Sequence, residues 1–153
     1  MNQLCARDDL NSGTYKTEGI KAIASAISFS NSLTSINLTG TQLGNEGAKH
    51  IAESIADSAS LTYINLGDNR IESTGAKHIA KGISASSLLT TIGLQFNKLG
   101  SEGTMHIAEG MLVSASLTYI NLSYNNIGAE AAEYIAKNIS ASASLKNISL
   151  WGN

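Results

Sequence analysis

Leu61-Thr62-Tyr63-Ile64-Asn65-Leu66-Gly67-Asp68-Asn69-Arg70-Ile71 decides how this chain is read. Its pattern, L-x-x-I-x-L-x-x-N-x-I, starts again at Leu33, Leu89, Leu117 and Leu145, a step of 28 residues each time. Self-similarity at a fixed period of this length marks a repeat architecture. Each unit there buries its apolar face only by stacking on its neighbours.

Working outward, full repeats span residues 33–60, 61–88, 89–116 and 117–144, and a half repeat, 145–153, ends the chain. Fidelity is high: Gly47 to Ala52 recurs as Gly75 to Ala80, and Ser60 to Leu66 recurs as Ser116 to Leu122. One step back from Leu33 lands on Cys5, with Leu10 on Leu38, Tyr15 on Leu43 and Glu18 on Glu46, so a first repeat is expected over 5–32. The whole chain is expected to be one domain.

Each repeat changes period midway. Ile64 and Leu66 alternate as in a strand, whereas Ile79, Ala80 and Ile83 are spaced as on a helix. Strands are expected near 35–38, 63–66, 91–94, 119–122 and 147–150. Helices are expected near 17–28, 45–57, 73–84, 101–112 and 129–140. Thr17, Asn45, Ser73 and Ser101 recur at the helix starts as cap-type residues, and Ala129 breaks that column.

Stacked in register, the strands give an α/β fold: a parallel sheet with helices as crossovers. The columns become ladders: Ile23, Ile51, Ile79, Ile107, Ile135; then Ile27, Ile55, Ile83, Met111, Ile139; then Leu38, Leu66, Leu94, Leu122, Leu150. Each buried aliphatic side chain contributes roughly 1.5–3 kcal/mol. Strands sit about 4.8 Å apart and helices about 8–10 Å, so the sheet must line the hollow of an arc. Asn69, Asn97, Asn125 and Asn153 form a further ladder, where buried amides can bond the backbone of the turns. Thr41 and Gly13 occupy that column earlier, so it should weaken toward the N-terminal end.

These units, L-T-x-I-x-L-x-x-N-x-I/L followed by G-x-E-G-A-x-x-I-A, resemble leucine-rich repeats of the ribonuclease-inhibitor-like type, also seen in NOD-like receptors. The resemblance covers nearly the whole chain. It implies a curved solenoid that binds a protein or peptide on its concave sheet. Ribonuclease inhibitors alternate two repeat types and are cysteine-rich and acidic, features this chain lacks, so the resemblance does not extend to their ligand. Similar repeats occur in Ran-type GTPase-activating proteins, but no residues here match a motif for that activity. Low-charge, near-perfect repeats are also similar to bacterial effectors delivered into host cells, which leaves a targeting domain of that kind as an alternative.

Composition narrows the classes. With 42% apolar residues the chain can bury a core, and a net charge of −2 supplies no basic field for nucleic acid or anionic membrane. A single cysteine, Cys5, excludes an intramolecular disulfide and favours a reducing compartment or a bacterial source; a cytoplasmic location is expected. No signal-peptide pattern and no apolar run near the roughly 18 residues of a membrane span is present. The lack of proline argues against a disordered linker. Neither end carries the polar unit that closes solenoids. A piece of a longer protein is therefore expected, or self-association through the uncapped ends, which would make the chain a structural segment.

Alternation along each strand sets the concave face. By repeat it reads Arg7, Asp9, Asn11; Ser35, Asn37, Thr39; Tyr63, Asn65, Gly67; Thr91, Gly93, Gln95; Tyr119, Asn121, Ser123; Asn147, Ser149, Trp151. Gly40, Asp68, Phe96 and Tyr124 follow at the rim. Five of the eight aromatics fall in these columns, where they contribute nothing to the repeat core. Tyr and Trp are enriched at interface hot spots. The expected partner-binding residues are Tyr63, Asn65, Asp68, Gln95, Phe96, Tyr119, Asn121, Tyr124 and Trp151.

His50, His78 and His106 also recur at 28 residues. Metal ligation needs nitrogens about 2.0–2.1 Å from the ion, and helix columns about 8–10 Å apart cannot converge on one. These histidines lie opposite Ile51 and Ile55 on the helix wheel and are expected to face solvent. Glu53, Lys81, Glu109 and Lys137 alternate in sign from repeat to repeat; they can lace neighbouring helices, but exposed pairs contribute only about 0–1 kcal/mol each, and they are expected to form a solvated face. Leu88 stands where other repeats have serine. Ser, His and Asp fall on opposite faces of the unit, and Gly44-Asn45-Glu46-Gly47 lacks the Gly-Lys-Ser/Thr ending of a phosphate loop. No catalysis, metal or cofactor is expected.

Overall fold

The computed structural model describes residues 2–5 and 18–153. Strands and helices alternate: β1 (Asn2–Cys5), α1 (Glu18–Phe29), β2 (Leu33–Asn37), α2 (Gly44–Asp57), β3 (Tyr63–Asn65), α3 (Ser73–Ala85), β4 (Thr91–Gly93), α4 (Gly100–Val113), β5 (Tyr119–Asn121), α5 (Ala129–Asn138) and β6 (Asn147–Ser149). A 3-10 turn, Ile139–Ala141, extends α5. The strands lie in one sheet in chain order, all parallel. From β2 to β6 the register advances by 28 residues per strand: Ile36, Ile64, Ile92, Ile120 and Ile148 lie side by side. The fold is a leucine-rich repeat solenoid.

The aliphatic ladders lie between sheet and helices. Leu38, Leu66, Leu94 and Leu122 are buried from the strand side, and Ile51, Ile79, Ile107 and Ile135 from the helix side. Helices approach through small residues: a Cβ on Gly82 would lie 2.6 Å from the Ala52 carbonyl oxygen, and one on Gly110 2.5 Å from that of Ala80.

Each strand end is tied to the next repeat. At the C-terminal end, Asn97 Oδ1 accepts from the N–H groups of Asn69 and Ile71, both at 3.0 Å, and its Nδ2 donates to Leu66 O and Leu94 O at 3.0 and 2.9 Å. Asn153 repeats this pattern, Asn69 repeats its accepting half and donates through Nδ2 to Leu38 O and Gly67 O, and Asn125 contributes through Nδ2 to Leu94 O and Leu122 O. Thr41 does part of the work with a hydroxyl bonded to Leu38 O, and Gly13 lies outside the described residues. At the other end, Ser60 Oγ donates to Ser30 O and Leu33 O, and Ser116 Oγ to Ser86 O and Leu89 O. Thr62, Thr90 and Thr118 hydroxyls donate to the carbonyl of the threonine one repeat earlier.

Three expectations are corrected. First, β1 pairs with β2 through Leu4–Ile36 and Cys5–Asn37, a step of 32, four more than 28. The helix keeps the step of 28, with Ile27 and Ile55 both buried, so the extra residues fall between Cys5 and Glu18, in the connection, where insertions are tolerated. Cys5 thus ends a strand rather than opening a repeat. Arg7, Asp9, Asn11, Leu10, Tyr15 and Thr17 lie outside the described residues.

Second, Asn45, Ser73 and Ser101 do not cap their own helices. The N-cap positions belong to Leu43, Glu72 and Leu99, none with a side-chain cap bond. Asn45 Oδ1 instead accepts from Glu72 and Gly75 N–H, and Ser101 Oγ from Gly128 N–H, because each helix start lies against the first turn of the preceding helix. The outer charges stay exposed and pair within helices, Lys21–Glu18 at 3.1 Å and Lys137–Glu133 at 2.7 Å. Lysine reaches an acid one turn away more readily than one a helix away. Third, His50 and His106 are half-buried, with 21% and 27% of the side chain exposed. They sit in grooves between consecutive helices, where the helix wheel has no neighbours to show.

Candidate functional site

The hollow face of the sheet carries the side chains that the ladders leave over. Tyr63 and Tyr119 point out of it and are 36% exposed, with Thr91 on the strand between them. They make no ring contact with each other. Asn65 and Asn121 lie one alternation further on and turn their Oδ1 to the N–H two residues ahead, on Gly67 and Ser123, at 3.0 Å each. Gln95 reaches across a strand, and its Nε2 donates to Asn65 Oδ1 at 3.1 Å.

At the rim the backbone itself is unusual. Gly40, Asp68, Phe96, Tyr124 and Gly152 occupy one column, and all five have φ between 53° and 72°. This left-handed region costs a residue with a Cβ roughly 1–2 kcal/mol, and a bulky ring there is uncommon. The column fixes the conformation because Asp68, Phe96 and Tyr124 each donate their N–H to the next repeat's carbonyl, on Gln95, Ser123 and Trp151. Two of its members are aromatic nonetheless. Phe96 and Tyr124 stack, with ring centroids 4.4 Å apart and planes 10° apart. Trp151 meets Tyr124 edge-on at 5.8 Å. Gly152 makes this arrangement fit, since a Cβ there would collide with the Tyr124 ring. Phe96 is 55% exposed and Trp151 73%.

Of the nine residues read from the sequence, the structure gathers Phe96, Tyr124 and Trp151 into one cluster and bonds Asn65 to Gln95. Tyr63, Tyr119 and Asn121 share the floor without touching one another's rings, and Asp68 stands on the rim toward Gly40. Two features were missed. Gly67 and Gly93 leave room that the Gln95 and Asn65 carboxamides fill, signalled by glycine in columns that otherwise hold Thr, Gln, Ser, Trp or Asn. The Ser123 and Ser149 hydroxyls pair at 2.8 Å, for which the chain held no separate signal.

The helix side offers different chemistry. One groove between α1 and α2 is lined by Phe29, His50, Glu53, Ser54 and Asp57, and another between α3 and α4 by Lys77, Lys81, His106, Glu109 and Val113. His50 lies 3.5 Å from Glu46 and 3.6 Å from Glu53, and His106 3.5 Å from Glu109. Among the described residues no three His, Cys, Asp or Glu side chains come together where they could hold a metal ion. No helix of the described residues is long and apolar enough to cross a membrane.

A family model described as Leucine Rich repeat matches residues 29–52, 57–80 and 113–136. No curated protein sequence matches the chain. Solved structures that share its fold include the following two. One is the actin-binding site 2 of leiomodin-1, with a TM-score of 0.75 and 19% identity over 95% of this chain and 80% of that one. The other is the C-terminal domain of tropomodulin from Caenorhabditis elegans, with a TM-score of 0.76 and 15% identity over 86% of this chain and 81% of that one.

Proposed function

We propose that this chain, a leucine-rich repeat protein, is a recognition module that takes a protein or peptide on its concave sheet. The observation that carries the reading is the rim cluster of Phe96, Tyr124 and Trp151. Two of its rings are held exposed in left-handed backbone, where the same column elsewhere accepts glycine. Such placement costs stability and adds nothing to the core. A partner that covers the rings recovers their apolar area, and preorganised stacking lowers the ordering cost of binding. Tyr63 and Tyr119 extend the apolar surface across the floor, with Asn65, Gln95 and Asn121 as polar contacts between them. Asp68 supplies one charge at the end of the rim.

Affinity capture with the unmodified chain, against Phe96→Ala/Tyr124→Ala/Trp151→Ala as control, tests the reading. A partner retained only by the unmodified chain, with melting temperatures of the two alike, supports it. A partner retained equally by both sinks it. G-actin is a defined first protein to try, because one chain of the same fold is described as an actin-binding site.

A further inference from the structure

The row of rings on the rim stops at Phe96, and the next place in the column is an acid. From β2 to β6 the floor and rim columns hold one charged residue, Asp68, among tyrosines, amides, hydroxyls and glycines. Its backbone N–H donates to Gln95 O. Its side chain is exposed and makes no ion pair among the described residues. Asp68 Oδ2 lies 3.8 Å from where a Cβ on Gly40 would stand, so the carboxylate borders the space over a bare glycine.

Phe96 supplies the other half. Its ring and that of Tyr124 are nearly parallel at 4.4 Å, close to the strand spacing of about 4.8 Å, so the stack runs along the column. One face of Phe96 therefore lies on Tyr124, and the other looks toward Asp68. Among the described residues no ring or cation covers that second face, and Phe96 is 55% exposed. A phenylalanine ring stands further out from the backbone than an aspartate carboxylate. The two thus form a step, with the ring face as its wall and the carboxylate as its ledge, open on the side of Gly40. No side chain has to move to expose it.

We infer that this step seats an arginine side chain of the partner. The inference rests on the concave-face reading above. The negative face of a phenyl ring attracts a cation, and a guanidinium also stacks flat on it. A guanidinium flat against Phe96 turns an edge of N–H donors down onto the Asp68 carboxylate, where charge-assisted bonds form. An ammonium keeps the charge but has no plane to stack. The neutral ureido group of citrulline keeps the plane but has no charge. Arg70 and Lys98 follow two residues after Asp68 and Phe96, and both are exposed. Neither pairs with Asp68 or stacks on Phe96, so the step is left to a group from outside. Their like charge limits the gain that a second cation can make there.

The test is an NMR titration of isotope-labelled protein with three blocked tripeptides, acetyl-Gly-Arg-Gly-amide and its citrulline and lysine counterparts. The arginine peptide is expected to shift the Phe96 ring signals and the Asp68 amide saturably, binding about fivefold more tightly than citrulline, with lysine between them. Asp68→Asn keeps the shape and suits left-handed backbone. It is expected to bring arginine down to the level of citrulline with the melting temperature unchanged. Asp68→Gly, the residue that the column carries at Gly40 and Gly152, serves if Asp68→Asn folds poorly. Arg70→Gln, which removes a like charge, is expected to tighten arginine binding. Citrulline or lysine binding as well as arginine overturns the inference, and so does an arginine affinity that Asp68→Asn leaves unchanged. A captured partner that Asp68→Asn holds as tightly as the unmodified chain also overturns it. If the Phe96→Ala/Tyr124→Ala/Trp151→Ala variant still loses that partner, the step fails and the concave-face reading stands.

Discussion

Phe96 and Asn97 are neighbours in the chain and opposites in kind. Asn97 belongs to a column that reads Asn69, Asn97, Asn125, Asn153, and its amide is buried among four backbone groups of two repeats. Phe96 belongs to a column that reads Gly40, Asp68, Phe96, Tyr124, Gly152, and its ring faces outward. The constant column serves the preceding repeat, so each copy needs the same residue. The variable column shares only a backbone conformation, so its side chains are free to serve something else. Architecture is written in what the repeats share, and recognition in what they do not.

The largest expected effect lies on the constant side. Asn97→Ala leaves Asn69 N–H, Ile71 N–H and Leu66 O without their partner, while Leu94 O keeps the Asn125 amide. The expected loss is about 3–5 kcal/mol, since each unsatisfied buried group costs roughly 1–3 kcal/mol and the effects overlap. Urea unfolding measures it. A loss below about 1 kcal/mol, the size of one ordinary hydrogen bond, would break the distinction between the two columns.

A second constant feature lies on the helix side, where Gly82 touches the Ala52 backbone. Gly82→Ala forces a methyl to within 2.6 Å of the Ala52 carbonyl oxygen. Backbone cannot turn aside as a side chain can, so the helices must part, at about 1–3 kcal/mol. Lys81, next to it and exposed, provides the control: Lys81→Ala should change stability by less than about 0.5 kcal/mol. Thermal unfolding of the pair reads both. Equal effects would mean that helix contact is looser than the glycine distances imply.

The constant columns were legible in the sequence because identical offsets in a stacked chain become lateral contacts. That gave the strands, the helices, the aliphatic ladders and the asparagine ladder. It failed at the first strand, where four additional residues break the offset between strand and helix. It also failed for Asn45 and Ser101, whose types signal caps but whose partners are 27 and 30 residues away. The aromatic rim was half legible. Column arithmetic put Phe96 and Tyr124 together, but the left-handed φ, the role of Gly152 and the uncovered face of Phe96 depend on atomic positions that no offset encodes.

Leu88 is a defect in a constant column and offers a gain rather than a loss. Ser60 and Ser116 each bond two carbonyls of the preceding repeat. Leu88, at the same position, has no hydroxyl and is 38% exposed. Leu88→Ser should restore the missing rung toward Ser58 O and Leu61 O and raise stability by about 1 kcal/mol, the worth of an intramolecular hydrogen bond. A melting temperature that falls instead would mark Leu88 as packed against something the hydroxyl cannot replace.

A substitution expected to leave stability nearly unchanged separates the two columns most sharply. Phe96→Gly removes a Cβ from backbone at φ 58° and so relieves roughly 1–2 kcal/mol. It also removes the stack on Tyr124, worth roughly 0.5–1.5 kcal/mol. The two nearly cancel, and unfolding free energy should stay within about 1 kcal/mol of the unmodified chain. Partner affinity, by contrast, should fall about thirtyfold or more if Phe96 is a hot spot of roughly 2 kcal/mol. Tyr124→Gly should behave in the same way, because its ring sits in the same conformation between Phe96 and Trp151. A variant that keeps its stability and its partner would mean that the variable column is idle decoration on the solenoid. One that loses stability as Asn97→Ala does would mean that the rings support the fold, and the strain they bear would have a structural reason rather than a functional one.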